Sequence, residues 1–241
     1  MGLFDFFTGG REGQLKRHAK RIKNLNAQAE DRQVSAHWLA EEGSDDAVRA
    51  LLGRFEVNYE QRMKDTQEKD LVYDLLRSMG SDRVAVPVRE WVRKNQSFAR
   101  PLQLLQELEG REAAVDVLLD MLGREVDPFK PEKKRQILIK LAEHRDDRIV
   151  ERVPACLEDF DEGIRYAAAE ALLAQDAADE VIRGELAKAL GNRQEESNRL
   201  RVRIAEAFHK RGWQLGVHAE AVAERPPVGW RVLEDGRPAP G

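Results

Sequence analysis

A similar polar turn returns at positions 43, 80, 110, 146 and 176, so the chain is punctuated every 30 to 37 residues. Trp38 and Leu39 lead into GSDDAVRALL, and Leu75 and Leu76 lead into GSDRVAVPV at the same spacing. Later junctions stand at Gly110 before REAAVDVLLDML, at Asp146 before DRIVERVPACLEDF and at Asp176 before AADEVIRGELAKAL. Between turns the apolar residues are spaced by three and four, the period of a helix buried on one side. Such an interval accommodates two antiparallel helices and two short turns, the unit of an α-solenoid, which buries its apolar face only when neighbours stack on it.

The pattern predicts helix pairs at 30–42 and 45–56, 66–79 and 84–95, 99–109 and 112–122, 131–143 and 148–159, and 162–174 and 178–190, with a last long helix at 196–211. The expected fold is therefore all-α: a solenoid of about five to six pairs spanning 29–212. Residues 1–28 precede it as an apolar N-terminus and a basic capping helix, and 213–241 follow as a terminal cap and an extended, irregular tail whose last six or so residues are expected to be mobile. Gly9, Gly10 and Gly13 mark a flexible break before an amphipathic helix at 14–26, in which Leu15, Ala19, Ile22 and Leu25 make one stripe. Proline inside a helix removes a hydrogen bond, so Pro87 and Pro154 move the expected helix starts to about 86 and 152, whereas Pro101 and Pro131 fit first turns. The charged segment 57–70 is either a longer helix end or an exposed connection. At the far end, Trp213, Leu215, Val217, Val222 and Trp230 supply apolar cover.

The stretch DDRIVERVPACLEDFDEGIRYAAAEALLAQ resembles the short HEAT-like repeat of PBS-lyase-type families. Val153 and Pro154 lead into Leu157, a polar turn runs from Asp159 to Glu162, and Ile164 and Arg165 open an alanine-rich helix ending at Leu172. Ala167, Ala168, Ala169 and Ala171 permit close helix packing, and Asp161 is placed to cap the helix start. The resemblance implies that Arg165 joins a ladder of hydrogen bonds between repeats, with Arg201 as an echo; the unit around Lys130 has no matching Asp-x-x-x-Arg. It also implies an architecture used for protein binding, and two enzymatic alternatives: a HEAT-like DNA glycosylase, which uses aromatic and acidic residues in a cationic concavity, and bilin-lyase-like chemistry.

Composition narrows the function classes. The 241 residues are 41% hydrophobic and 35% charged, with a net charge of -4, and no apolar run reaches the ~18 residues of a membrane span. Cys156 is the only cysteine, so an intrachain disulfide and a Cys-rich zinc site are excluded, and a reducing, cytoplasmic setting is expected. Asp5 interrupts the apolar opening MGLFDFFTGG, unlike the core of an export signal, and Phe6 stands where myristoylation asks for Ser or Thr. Leu3, Phe4, Phe6 and Phe7 can instead cap the chain's own core, dock on a partner or touch a membrane.

The five histidines form no paired metal motif, and neither a Gly-rich phosphate loop nor a nucleophile elbow is present. No catalytic, cofactor-binding or metal-binding residue is therefore assigned, and no cofactor is expected. Cys156 reads as a small buried thiol. Two surfaces remain. On the 84–95 helix, Trp91 stands among Val84, Val88 and Val92, with Arg89, Arg93 and Lys94 around it; it reads either as packing between repeats or as a partner-binding point. At the N-terminus, Lys16, Arg17, Lys20, Arg21 and Lys23 form a basic strip, joined by Arg11 and His18, which can meet nucleic acid, an anionic membrane surface or its own acidic neighbours Glu41, Glu42, Asp45 and Asp46. The leading expectation is a non-enzymatic scaffold or adaptor that binds a protein partner, with anion binding through the basic helix as the alternative.

Overall fold

In the computed structural model of the chain, residues 10–124, 130–175 and 180–241 are described. Among them are thirteen α-helices and one two-stranded sheet, so the chain is all-α. The helices are α1 Gly10–Ile22, α2 Ala29–Glu42, α3 Asp45–Leu52, α4 Arg62–Met79, α5 Ser81–Lys94, α6 Ala99–Glu109, α7 Arg111–Arg124, α8 Pro131–Leu141, α9 Asp147–Arg152, α10 Glu162–Leu173, α11 Glu180–Gly191, α12 Asn198–Arg211 and α13 Ala219–Glu224. No described helix is long and apolar enough to cross a membrane. The Phe-rich opening and the junction at Asp176 lie outside the described residues.

The chain divides into two compact units, Met1–Val117 and Leu118–Gly241. In the first, each helix from α1 to α4 touches both its next and its next-but-one neighbour along the chain, and α5 packs on α6. Leu39, Val48, Leu51, Leu76, Val88 and Leu105 are fully enclosed there. In the second unit α8 packs on α10 and α10 on α12, while α11 packs on α12 and α13. A 3-10 turn at Pro154–Glu158 packs against α10 and α11. Ala168, Ala169 and Ala171 have no exposed surface, as close helix approach requires.

Local chemistry sets the helix ends. Gly43 stops α2 in the left-handed region at φ 67°, its N–H donating to the Leu39 carbonyl, a conformation that costs glycine no clash. Ser44, Asp146, Asp161 and Ser197 cap α3, α9, α10 and α12 by accepting backbone N–H groups in the first turn, which satisfies donors that the helix leaves open.

Several expected boundaries move. α1 begins at Gly10, so Gly10 and Gly13 lie inside it, and it ends at Ile22, leaving Leu25 54% exposed in the following turn. Pro87 sits within α5, which starts at Ser81 rather than near 86; burying Pro87 with Val84 and Val88 offsets its missing hydrogen bond. Pro154 starts the 3-10 turn after α9 instead of a longer helix. Residues 57–61 form a connection, and α4 begins earlier than expected, at Arg62.

The C-terminal segment differs most from its expected irregular course. Trp230–Val232 pairs antiparallel with Pro238–Pro240, and the Gly241 N–H donates to the Gly229 carbonyl at 2.8 Å. Asp235-Gly236 makes the turn: Gly236 takes φ 78°, and the Asp235 carboxylate accepts from the Arg237 backbone at 3.1 Å. Such a dipeptide is a hairpin signal. The strand Pro238–Pro240 packs on α12, with Pro238 and Ala239 buried and His209 edge-on to Trp230 at 5.7 Å. Leu215 and Val222 are buried as cover, whereas Val217 is 92% exposed.

Candidate functional site

The fourth residue after the cap of α2, α8, α10 and α12 is basic and marks a recurring polar contact, whereas in α4 and α6 that position is Asp65 and Leu102. Counting from Gln28, Lys130, Asp161 and Ser197, it is Arg32, Lys134, Arg165 and Arg201. Arg165 holds Glu195 with two hydrogen bonds of 2.6 and 2.9 Å and donates to the carbonyls of Asp159 and Phe160. The paired carboxylate raises the Arg165 pKa, and Glu195, although burial pushes it up, is held below the ordinary range by Arg165 and the Ser197 N–H. Lys134 reaches Asp159 at 2.5 Å, so the unit around Lys130 does carry a rung, with Lys in place of Arg. Arg201 donates to the Arg225 carbonyl, and burial together with the nearby Arg225 charge lowers its pKa.

In the N-terminal unit the equivalent position belongs to a larger knot. The Arg32 guanidinium donates to both oxygens of Glu68, at 2.9 and 2.6 Å, and also to the Asn24 and Ala27 carbonyls. Arg54, with no exposed surface, bonds Glu68 at 3.3 Å, Asp65 at 2.6 Å and the Val57 carbonyl at 2.8 Å. Lys69 bridges Asp65 and Asn58 at 2.7 and 2.6 Å. The Tyr59 ring lies against both guanidiniums, 4.5 Å from that of Arg32 and 4.2 Å from that of Arg54. Burial raises Glu68 and Asp65, but the surrounding cations outweigh it and hold both carboxyls below their ordinary values.

Beside the knot is a cleft of about 480 Å³ lined by Leu25, Asn26, Arg32, Asn58, Tyr59 and Lys64. Arg32 and Asn58 are already engaged in the knot, so Asn26, Glu60, Gln61 and Lys64 contribute polar wall and Leu25 an apolar one. The charged sequence 57–70 gave no sign of this site: it read as a helix end or an exposed connection, yet Asp65, Glu68 and Lys69 are buried. Helical spacing offers the retrospective signal, since 65, 68, 69 and 72 form one stripe with the buried Val72.

Of the expected partner-binding residues, Trp91 is half-buried and its indole Nε1 is enclosed without a hydrogen-bond partner. Arg89 is paired with Glu109, and Lys94 lies 4.0 Å from Glu90, which also meets Arg49 at 3.4 Å. Arg93 is half-exposed. Val86, 64% exposed, shares the outer side of α5 with Glu90 and Arg93. Trp38 is covered by His18, whose ring stacks on it at 4.4 Å and whose Nδ1 is 3.1 Å from Ser35 Oγ.

The basic strip is partly used internally. Arg11 pairs with Glu42, Lys23 with Glu56 at 2.9 Å and Lys16 with Glu12 at 2.5 Å. Lys16, Arg17 and Lys20 are exposed and Arg21 half-exposed. Cys156 is 6% exposed, and burial raises its thiol pKa. Among the described residues no group of three or more His, Cys, Asp or Glu side chains is placed to hold a metal ion. No protein-family model matches the chain, and a search of curated proteins finds no match.

Proposed function

We propose that the protein is a non-enzymatic scaffold, each of its two units a short stack of HEAT-like helix pairs, and that it holds a protein partner on repeat-helix surfaces. The observation that carries this reading is a separation of 30 to 36 residues shared by five of the ion pairs between elements, although Arg49–Glu90, Arg89–Glu109 and Lys134–Asp159 depart from it. Arg32 meets Glu68, Asp70 meets Arg100, Glu158 meets Lys188, Arg165 meets Glu195 and Glu170 meets Arg203, at separations of 36, 30, 30, 30 and 33 residues. Those separations match the period of the sequence turns, as expected when successive supersecondary units stack on their neighbours. A stack of this kind offers much outer helix surface for each buried residue.

The outer side of α5 supports a protein partner: exposed Val86 lies with Glu90 and Arg93, an apolar point among mixed charges, as at the rim of many interfaces. Full-length protein should recover a partner from native lysate, and Val86→Asp with Arg93→Glu should lose it while circular dichroism and melting stay unchanged. Full recovery by the folded double variant would remove α5 as the binding face.

A further inference from the structure

In the C-terminal unit positive charge gathers on α12, whose sequence NRLRVRIAEAFHKR has Glu206 as its one acidic residue. α12 packs beside α10, where the buried Ala167, Ala168, Ala169 and Ala171 leave room for long side chains of α12 to cross the seam. Three arginines cross it and end differently. Arg203 meets both oxygens of Glu170, at 2.5 and 3.1 Å. Arg199 lies over the Tyr166 ring at 3.8 Å, and Arg211 donates to the Leu173 carbonyl at 2.6 Å while lying 4.7 Å from the Trp213 ring. Among the described residues no carboxylate pairs with Arg199, Lys210 or Arg211, and all three are exposed. Partial burial of the Arg211 guanidinium, with the charges of Arg203 and Arg145 nearby, lowers its pKa. The seam is therefore cationic at its two ends, with the Arg203–Glu170 pair and Glu206 between them.

We propose that this seam holds an extended acidic segment of the protein partner, with carboxylates six residues apart and neutral residues between them; the site rests on the scaffold reading above. From Arg199 to Arg211 the helix rises about 18 Å, at ~1.5 Å per residue. Six residues of extended chain cover about 20 Å, at ~3.3 Å each, and return the side chain to the same face. The guanidinium fork matches a carboxylate with two hydrogen bonds, and the rings of Tyr166 and Trp213 hold Arg199 and Arg211 in place beforehand. Glu170 and Glu206 favour a peptide over nucleic acid. A phosphate backbone, charged at every step, would face both carboxylates, whereas a peptide can set neutral residues against them.

Fluorescence anisotropy of labelled peptides, built of glycine, serine and two glutamates and mixed with the full-length protein at low salt, provides the test. Glutamates six positions apart should bind more tightly than glutamates two or ten positions apart, or none, and salt should release the peptide. Arg199→Gln with Lys210→Gln removes exposed charges only, and should bind about tenfold more weakly while the melting temperature stays unchanged. Arg199→Glu should instead prefer a peptide with lysine at one end and glutamate at the other, a switch that a loss of folding cannot produce. The proposal fails if acidic peptides bind no better than the uncharged one, if spacing makes no difference, or if either variant binds like wild type. It also fails if labelled oligothymidine binds more tightly than the best peptide and is weakened by the same double variant, since the seam would then be a polyanion site. The two readings separate: a partner recovered from lysate and lost by Val86→Asp with Arg93→Glu, together with indifference to acidic peptides, would remove this site and leave α5 standing.

Discussion

The two units place a cation at the same step of their helices and surround it differently. In the C-terminal unit Lys134 and Arg165 make separate rungs, each to a carboxylate in a turn. In the N-terminal unit Arg32 joins Arg54, Asp65, Glu68 and Lys69 in one enclosed cluster stacked on Tyr59. The difference follows from the 57–61 connection, which adds Asn58 and Tyr59 to the contact and gathers five charged groups where Arg165–Glu195 is a single, largely enclosed pair and Lys134–Asp159 a partly open one. A partly open pair such as Lys134–Asp159 works in higher dielectric and contributes modestly, whereas an enclosed pair or cluster is costly to form and more costly to break.

The largest effect is therefore expected from Glu68→Gln. It removes the carboxylate shared by Arg32 and Arg54 and leaves three buried cations facing Asp65 alone, so the N-terminal unit should lose about 3–5 kcal/mol. Urea unfolding combined with amide exchange should show α2 to α4 losing protection first; unchanged protection would mean that the cluster is not what ties them. Acid should act on the same groups. Because Asp65 and Glu68 titrate below their ordinary values in the folded chain, their contribution is complete above the unfolded carboxyl value of about 4. It disappears as pH falls through the depressed folded values. The urea midpoint of wild type should thus drop more steeply below about pH 4 than that of Glu68→Gln.

Arg165→Met should come next, at about 1.5–3 kcal/mol, because Glu195, with 4% of its side chain exposed, then loses its charged partner. Lys substitution at Arg165 should recover only part of this, since an ammonium lacks the planar fork that meets both carboxylate oxygens. Lys134→Met should cost least, about 0–1 kcal/mol, as Lys134 and Asp159 keep 20% and 18% of their side chains in solvent. A reversed order of the Arg165 and Lys134 effects, measured by urea unfolding, would break the link between enclosure and strength.

The same contrast explains what could be read in advance. Apolar spacing and polar turns located the helices closely: 99–109 coincides with α6, and 162–174 and 196–211 differ from α10 and α12 by one or two residues. Arg165 was expected only from the resemblance of its stretch to a HEAT-like repeat, while the capping role of Asp161, four residues earlier, was legible from the sequence itself. Lys134 was not, because the rung is defined by its position after the cap, and a search for Asp followed by Arg passes over a Lys130 to Lys134 pair. The enclosed cluster escaped for a different reason. Charges spaced along a helix ordinarily face water, and only the folding of a connection from outside that helix reverses the rule for Asp65, Glu68 and Lys69. The hairpin was signalled by Asp235-Gly236, but the flanking prolines weighed toward an irregular course; Pro238 and Pro240 fit a short strand at the edge of a two-stranded sheet.

The solitary thiol has a practical corollary. Cys156 lies within the turn Pro154–Glu158, buried, with its reactive thiolate form disfavoured by burial. The unmodified chain should thus give little background with maleimide reagents. A single cysteine introduced at an exposed position such as Val86 or Val217 would carry a fluorophore or spin label to one chosen surface, with no native residue to remove first.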